Sequence, residues 1–381
     1  MLPRETPMRT VRRVGLIGPL PPPAGGMANQ TRQLAWLLGE AGIEVELVQV
    51  NAPYRPAWIE RARVVRALFR LVPYLAQLWR CAGRVELMHV MANSGWAWHL
   101  CAAPAVWIAR LRGTPVVVNY RGGNAAGFLA AQARWVRPTL RAASAVAVPS
   151  GFLRAVFARY GVDSEIVPNI VDLARFYPAV HARDASSGRP HFIVTRNLEP
   201  LYDIDTALEA FALLRAELPG ARLSIAGSGP LRESLERRCA ALRIADAVTF
   251  TGRLDPEGMA ALYRDADVML NPSRVDNMPN SLLEAFASGV PVVSTNVGGI
   301  PYFVEDGKTA LLVPPRDPAA MAQAALRLVR DPLFAVALRT NALWVTSAYT
   351  WPSVRARLFE VYAAAVMRTA PRGVHRRAHA P

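Results

Sequence analysis

The sequence predicts an α/β protein of two doubly wound domains, each a parallel sheet with helices on both faces. Three observations carry this. Short apolar segments alternate with longer helical patterns along the chain, the signature of repeated strand–helix units. The segments read as strands buried on both faces, as parallel sheets require. The scheme runs through the first half and is repeated in the second, and 381 residues exceed what one ordinary core holds.

In order, a strand is expected at 11–17, a loop at 18–26, a helix at 27–41 and a strand at 44–50. Further strands fall at 85–91, 115–120 and 145–149, with helical stretches between them. The second half is clearer, with strands at 191–195, 222–226, 248–251, 268–271, 290–294 and 310–313. Its helices are expected notably at 204–216, 231–242 and 281–288. Residues 184–190, with Ser186, Ser187 and Gly188, read as a linker between an N-terminal domain over 1–182 and a C-terminal domain over 183–350. A helix within 351–370 follows a second sheet that is already complete, and is expected to cross back and brace the first domain. The basic tail, 371–381, with Arg372, Arg376 and Arg377, is expected to be disordered. Ligands of such folds sit at the carboxyl ends of the strands, and two facing domains form a cleft that favours binding.

Composition narrows the function. Hydrophobic residues make up 52% of the chain and charged ones 19%, which suits packed interiors. The greasiest stretch, 85–111, is broken by His89, Asn93, Ser94, His99 and Pro104, so it reads as core and not as a membrane span. The N-terminal strand runs into Pro19 and Pro21 and is not expected to be a secretory signal. Cys81, Cys101 and Cys239 are too widely spaced for a metal or redox pattern, and fit a reducing, cytoplasmic setting. The net charge is +15, and residues 1–175 hold 21 arginines against 9 carboxylates, a net of +12. A basic half suits nucleic acid, an anionic membrane or a phosphorylated substrate. No nucleic-acid motif is present, so a nucleic-acid partner is not expected. The stretch 53–84 sets Arg61, Arg63, Arg66 and Arg70 among Trp58, Ile59, Leu68 and Phe69. That is the texture of a helix lying in a membrane interface, or equally of a solvated helix covering a domain.

Three segments invite chemistry. Gly18-Pro19-Leu20-Pro21-Pro22-Pro23-Ala24-Gly25-Gly26 links the first strand to the first helix. Gly25 and Gly26 clear side chains from a helix N-terminus where an anion can approach, although a tight turn explains them as well. Ala226-Gly227-Ser228-Gly229-Pro230-Leu231 lacks the third glycine of a dinucleotide fingerprint. The richest segment is Asn271-Pro272-Ser273-Arg274-Val275-Asp276-Asn277-Met278-Pro279-Asn280-Ser281-Leu282-Leu283-Glu284. Asn280 or Ser281 suits an N-cap, and Glu284 falls in the first turn or so of the helix that follows. A carboxylate there complements the helix dipole. Ala285, Phe286 and Ala287 make the surroundings core-like, so the carboxylate also calls for a bound partner, such as a pair of polyol hydroxyls.

This segment resembles the signature of family 4 retaining glycosyltransferases of the GT-B fold: an acidic residue, seven others, a Glu, then Gly-x-Pro-Val-Val. Here those residues are Asp276, Glu284, Gly289, Pro291, Val292 and Val293. The resemblance extends over nearly the whole chain. Gly25-Gly26 stands at that family's diphosphate loop, and Val167-Pro168-Asn169-Ile170-Val171-Asp172 at its Pro-Asn-Gly-Val-Asp segment. Gly227-Ser228-Gly229-Pro230-Leu231 matches its Gly-x-Gly-Pro-Leu turn, and Phe250-Thr251-Gly252 its nucleobase-side strand. Val297-Gly298-Gly299-Ile300-Pro301 and Asp306-Gly307 complete the series.

The resemblance implies two Rossmann-like domains and transfer of a sugar from a UDP- or GDP-linked donor to a saccharide or lipid-linked acceptor, in polysaccharide or glycoconjugate synthesis. Neither a metal nor a further cofactor is expected. It implies that Glu284 accepts hydrogen bonds from the ribose, that Asp276 holds the sugar, and that Asn277, Met278, Pro279, Asn280 and Ser281 line it. Arg196 would grip the diphosphate, Gly227 would belong to the same donor pocket, and Arg253 and Leu254 would face the base. Retention would follow a front-face, oxocarbenium-like step in which the leaving phosphate takes the acceptor's proton.

The chain departs from the pattern in places. Tyr202 replaces a diphosphate lysine, and its phenol or Arg121 is a candidate to make up the lost contact. The signature opens on Asp rather than Glu. One histidine of a usual pair survives as His89, and a usual His-Gly becomes Arg121-Gly122. His89 is a candidate for acceptor-side chemistry or a satisfied histidine at a strand end. Asn93 and Ser94 are candidates for acceptor hydroxyls. Arg121 is an anion contact or a structural ion pair. Peripheral attachment to an anionic inner membrane face is expected. The competing readings are an epimerase or hydrolase on the same fold, a non-catalytic nucleotide-sugar binder, and a nucleic-acid binder.

Overall fold

The computed structural model describes residues 11–22, 25–53, 66–179 and 189–369, with side chains from residue 69 in the third stretch. Most of the arginine- and tryptophan-bearing stretch before 66, most of the linker and the tail therefore lie outside the described residues. The chain divides into two compact units. The first holds the described residues of Met1–Val148, Arg154–Val167 and Ala356–Pro381, and the second those of Pro149–Leu153 and Pro168–Arg355.

To residue 166 the order is β1 (Arg13–Gly18), α1 (Gly26–Glu40), β2 (Glu44–Gln49), α2 (Arg66–Ala82), β3 (Leu87–Ala92), α3 (Ala103–Leu111), β4 (Val116–Tyr120), α4 (Ala125–Ala142), β5 (Ala145–Val148), α5 (Gly151–Ala158) and β6 (Glu165–Ile166). All six strands pair in parallel, in the order β2-β1-β3-β4-β5-β6. Every residue of β3 and β4 is buried, as expected for central strands covered on both faces, whereas edge strand β2 buries only Val48. In α1, Ala28, Thr31, Leu34, Leu37 and Leu38 form the buried stripe at helical spacing. Strand β6 was not anticipated, because two residues carry no periodicity to read.

The second sheet follows with β7 (His191–Val194), α6 (Ile204–Glu217), β8 (Arg222–Ala226), α7 (Arg232–Ala241), β9 (Val248–Gly252), α8 (Pro256–Arg264), β10 (Val268–Asn271), α9 (Asn280–Ala287), β11 (Val292–Thr295), β12 (Leu311–Val313), α10 (Pro318–Arg330) and α11 (Pro332–Thr346). It too is wholly parallel, ordered β12-β11-β10-β7-β8-β9. Its two faces feed separate cores. Phe192 and Val194 of β7 pack with Leu208, Phe211 and Leu223, and Ile193 between them packs with Met269, Phe286 and Tyr263. A last helix, α12 (Trp351–Thr369), enters the first unit from residue 356, where Leu358, Val361, Tyr362 and Ala365 are buried.

Both sheets reverse direction at one place: between β1 and β3 in the first, and between β7 and β10 in the second. Loops leaving adjacent strand ends diverge there and open a crevice, so physics puts a ligand at each such point. No helix among the described residues is long and apolar enough to cross a membrane.

Candidate active site

The reversal of the second sheet gathers several of the residues singled out from its sequence. Arg196 follows β7, and the loop leading to α9 follows β10. Arg196 forms an ion pair with Asp276. Its Nε and Nη2 donate to Ser273 Oγ at 3.2 and 3.1 Å, and its Nη1 donates to Ser281 Oγ at 3.3 Å. Its guanidinium carbon lies 4.3 Å from the centre of the Tyr202 ring. Burial pulls its pKa down while Tyr202, Tyr263 and Glu284 pull it up. Ser273 is itself fixed from below, since its hydroxyl donates to buried Asn271 at 3.0 Å and Asn271 donates to Ser294 at 2.9 Å. The arginine thus stands on a satisfied polar network, which is how a cation is held in a defined rotamer.

Glu284 sits in the second turn of α9, beyond the first turn suggested by the sequence. The Tyr263 phenol faces Glu284 Oε2 at 3.2 Å and the Ser281 carbonyl at 3.0 Å, with Thr195 Oγ1 2.8 Å away. Burial pushes the Glu284 carboxyl up to about 7, against the opposing pull of the Tyr263 hydrogen bond, Arg196 and Arg175. A carboxylate poised at neutrality, beside a guanidinium and at a strand-end crevice, is equipped to accept hydrogen bonds from hydroxyl groups.

The loop between Asp276 and Glu284 departs from its expected arrangement. Neither Asn280 nor Ser281 caps α9, because the N-cap position falls to Pro279. The Asn280 side chain accepts from Asn169 Nδ2 at 2.6 Å, and that same amide donates to the Met278 carbonyl at 2.9 Å. Met278 turns inward and joins the core, and Asn277 and Pro279 are buried too, so the loop offers backbone more than side chains. Asp276 Oδ1 accepts from the amide of Asn277 at 2.9 Å.

Glycines explain how these pieces lie so close. A Cβ on Gly227 would collide with the Arg196 carbonyl, and one on Gly229 with that of Leu198. Likewise Gly298 and Gly299 rest against the carbonyls of Asp276 and Asn277. Gly227 therefore seats the Arg196 backbone, and the turn is closed further by Leu198 N to Ser228 O at 3.1 Å. Exposed Arg253 reaches the same turn, donating from Nε to Ser228 Oγ at 2.6 Å, and Leu254 follows it.

In the first unit, Gly25 is the extended N-cap residue of α1, and added Cβ atoms on Gly25 and Gly26 meet only open space. Asn93 and Ser94 leave β3 beside Tyr120 and Gly122 of the neighbouring strand end. Ser94 Oγ lies 2.7 Å from the Tyr120 phenol, and a Cβ on Gly122 would strike Ser94 at 2.5 Å. Arg121 donates from Nε to Asn119 Oδ1 at 2.9 Å and from Nη1 to Gln30 Oε1 at 3.3 Å. His89 is completely buried, with Nδ1 2.7 Å from Tyr362 Oη and Nε2 3.0 Å from Asn119 Nδ2. In this arrangement the imidazole offers no face to an acceptor, which departs from a role in acceptor-side proton transfer, where reach comes first.

A family model described as Glycosyltransferase Family 4 matches residues 24–175, and one described as Glycosyl transferases group 1 matches residues 189–331. A GDP-mannose-dependent alpha-(1-6)-phosphatidylinositol monomannoside mannosyltransferase of Mycobacterium tuberculosis is 32% identical, over 68% of this chain and 74% of its own length. The chain belongs to glycosyltransferase family 4. A D-inositol 3-phosphate glycosyltransferase of Pseudarthrobacter chlorophenolicus is 28% identical over 95% of this chain and 97% of its own. Among solved structures, Anabaena HepE in complex with UDP-glucose shares the fold, with a TM-score of 0.72 at 18% identity over 92% of this chain and 99% of that one. This family 4 enzyme has the GT-B fold and is a hexosyltransferase that draws on a nucleotide sugar.

Sequence reasoning on this glycosyltransferase missed Tyr263, Asn169 as a loop anchor, and the Asn271–Ser294 pair. Tyr263 lies on α8 at a position that reads only as core. Asn169 was visible within the Val167–Asp172 motif, but nothing in the motif says which backbone it holds. Among the described residues no group of three or more His, Cys, Asp or Glu is placed to hold a metal ion.

Proposed function

We propose that the enzyme binds its donor at the carboxyl edge of the second sheet, with the diphosphate on Arg196 and the ribose on Glu284. The observation that carries this is the convergence of Arg196, Asp276, Ser281 and Glu284 where β7 and β10 part. A guanidinium has five N–H donors. Those directed to Ser273, Ser281 and Asp276 leave one on Nη1 for a phosphate oxygen. Negative charge grows on the leaving diphosphate as the anomeric bond breaks, and a preorganised cation lowers that barrier. Asp276 and the backbone of 277–281 hold the sugar, and Arg253 and Leu254 face the base. Transfer proceeds with retention, the departing phosphate taking the acceptor proton.

The N-terminal unit takes the acceptor, through Asn93, Ser94 and Arg121. The two relatives described above act on acceptors that carry phosphate by their names, which supports a phosphate-bearing saccharide or lipid-linked acceptor for this chain. UDP and GDP are the candidate nucleotides. Docking on an anionic membrane surface is supported by α2, whose Phe69, Val72 and Trp79 are exposed along one stripe with Arg80 beside it. Mass-spectrometric screening of nucleotide sugars, with Glu284→Ala as control, tests the activity. A product from one donor, lost in the variant, is expected, and turnover unaffected by the variant would defeat the assignment. Flotation with phosphatidylserine vesicles at low salt tests docking, where a protein that stays at the bottom contradicts it.

A further inference from the structure

Four polar side chains from three elements, three of them buried and the last, Arg121, partly exposed, run in a line through the first unit. Arg121, just past β4, donates through Nε to Asn119 Oδ1 at 2.9 Å. Asn119 Nδ2 lies 3.0 Å from His89 Nε2 on β3, and His89 Nδ1 lies 2.7 Å from Tyr362 Oη on α12. Asn119 and His89 are wholly buried and Tyr362 is almost so.

The direction of this chain is forced from its charged end. A guanidinium only donates, so the Asn119 oxygen is committed to Arg121 and its amide nitrogen must face the histidine. His89 Nε2 therefore accepts, the ring proton sits on Nδ1, and Nδ1 donates to the Tyr362 phenol oxygen. A charged imidazolium would set N–H against N–H at Asn119. The His89 pKa agrees, since burial first and Arg121 second press it down to about 3.

Such a line is a costly way to fill a core, because apolar side chains of the same size need no partners. What it supplies is a single orientation at its exposed end. That end is Arg121, fixed also by Gln30 Oε1 and by its own amide bond to the Ala92 carbonyl at 2.9 Å. It stands at the carboxyl edge of the sheet, next to the strand end that bears Asn93 and Ser94. Burial lowers the pKa of Arg121 to about 10, a desolvation cost that an arriving anion offsets.

We propose that Tyr362, His89 and Asn119 are positioning residues that orient Arg121 as a contact for a phosphate group of substrate. The inference rests on the acceptor-side reading of Arg121 given above and explains why the last helix returns to the first unit. The phosphate is either the donor's diphosphate or the acceptor's own group. Calorimetry on the full chain separates the two sources: UDP or GDP titrated into free protein reads the first, and inorganic phosphate titrated into nucleotide-saturated protein reads the second.

Arg121→Gln is expected to weaken one of these titrations about ten-fold, as for a lost charged hydrogen bond. Tyr362→Phe should weaken the same titration three- to ten-fold, and add nothing in the Arg121→Gln background. His89→Gln, whose amide can accept from Asn119 and donate to Tyr362, should retain binding that His89→Leu loses. If Tyr362→Phe acts additively with Arg121→Gln, or leaves binding intact while Arg121→Gln destroys it, the positioning role is wrong. If Arg121→Gln moves neither titration, the anion contact itself fails and this inference with it, while the donor site at Arg196 stands. Should Tyr362→Phe fail to fold, the His89→Gln and His89→Leu pair decides alone.

Discussion

Glu284 illustrates how one side chain couples burial to substrate binding. Its carboxyl titrates near 7 because burial disfavours the charged form more than Tyr263, Arg196 and Arg175 favour it. Ribose hydroxyls are held best by the ionised form, so the donor KM should fall as pH rises from 6 to 8. The same profile for Glu284→Gln should be flat and higher throughout, and a sloping profile in that variant would assign the titration elsewhere. Tyr202 is a second case. The sequence offered its phenol as a substitute for a lysine, but the ring lies under the Arg196 guanidinium as a platform. A cation–π contact is worth about 0.5–2 kcal/mol. Tyr202→Phe should therefore keep nucleotide affinity within about two-fold, and Tyr202→Ala should lose about three- to ten-fold. Equal losses in both would return the role to the hydroxyl.

At the scale of elements, the loop between β10 and α9 is held from outside its own segment. Asn169, buried to 4% exposure, ties the Met278 carbonyl and the Asn280 side chain together. Asn169→Ala strands those acceptors, at about 1–3 kcal/mol. Thermal melts should show a lower Tm, and kcat/KM for the donor should fall, whereas an unchanged melt would mean that water replaces the amide without loss. The elements themselves were largely legible in the sequence, since apolar strands and helix periodicity are local properties. Strand ends moved by a residue or two, as at β3 and β11, where a neighbouring strand's register decides the boundary. The two-residue β6 left no pattern. The N-cap was misjudged because Asn280 and Ser281 are good caps locally but are taken by Asn169 and Arg196, partners that only the fold supplies. Tyr263 was hidden, and the two readings of His89 stayed open, for the same reason: a buried polar residue and a core residue look alike until their partners are known.

For the whole molecule, sheet topology is the fact that organises function. Each unit reverses strand order once, and several of the residues that drew attention in the sequence lie beside those reversals: Arg196 and Asp276 at β7 and β10, and Gly25, Asn93 and Ser94 at β1 and β3. The net +12 over residues 1–175 concentrates positive charge in the chain segment that supplies most of the first unit, which suits a phosphate-bearing acceptor or an anionic surface. The central claim is that Arg196 and Glu284 grip a nucleoside diphosphate. Isothermal titration of UDP and GDP into the wild type, Arg196→Ala and Glu284→Ala tests it most directly. One nucleotide should bind the wild type and bind each folded variant at least ten-fold more weakly, whereas no binding by either nucleotide, or equal binding by all three proteins, would contradict the account.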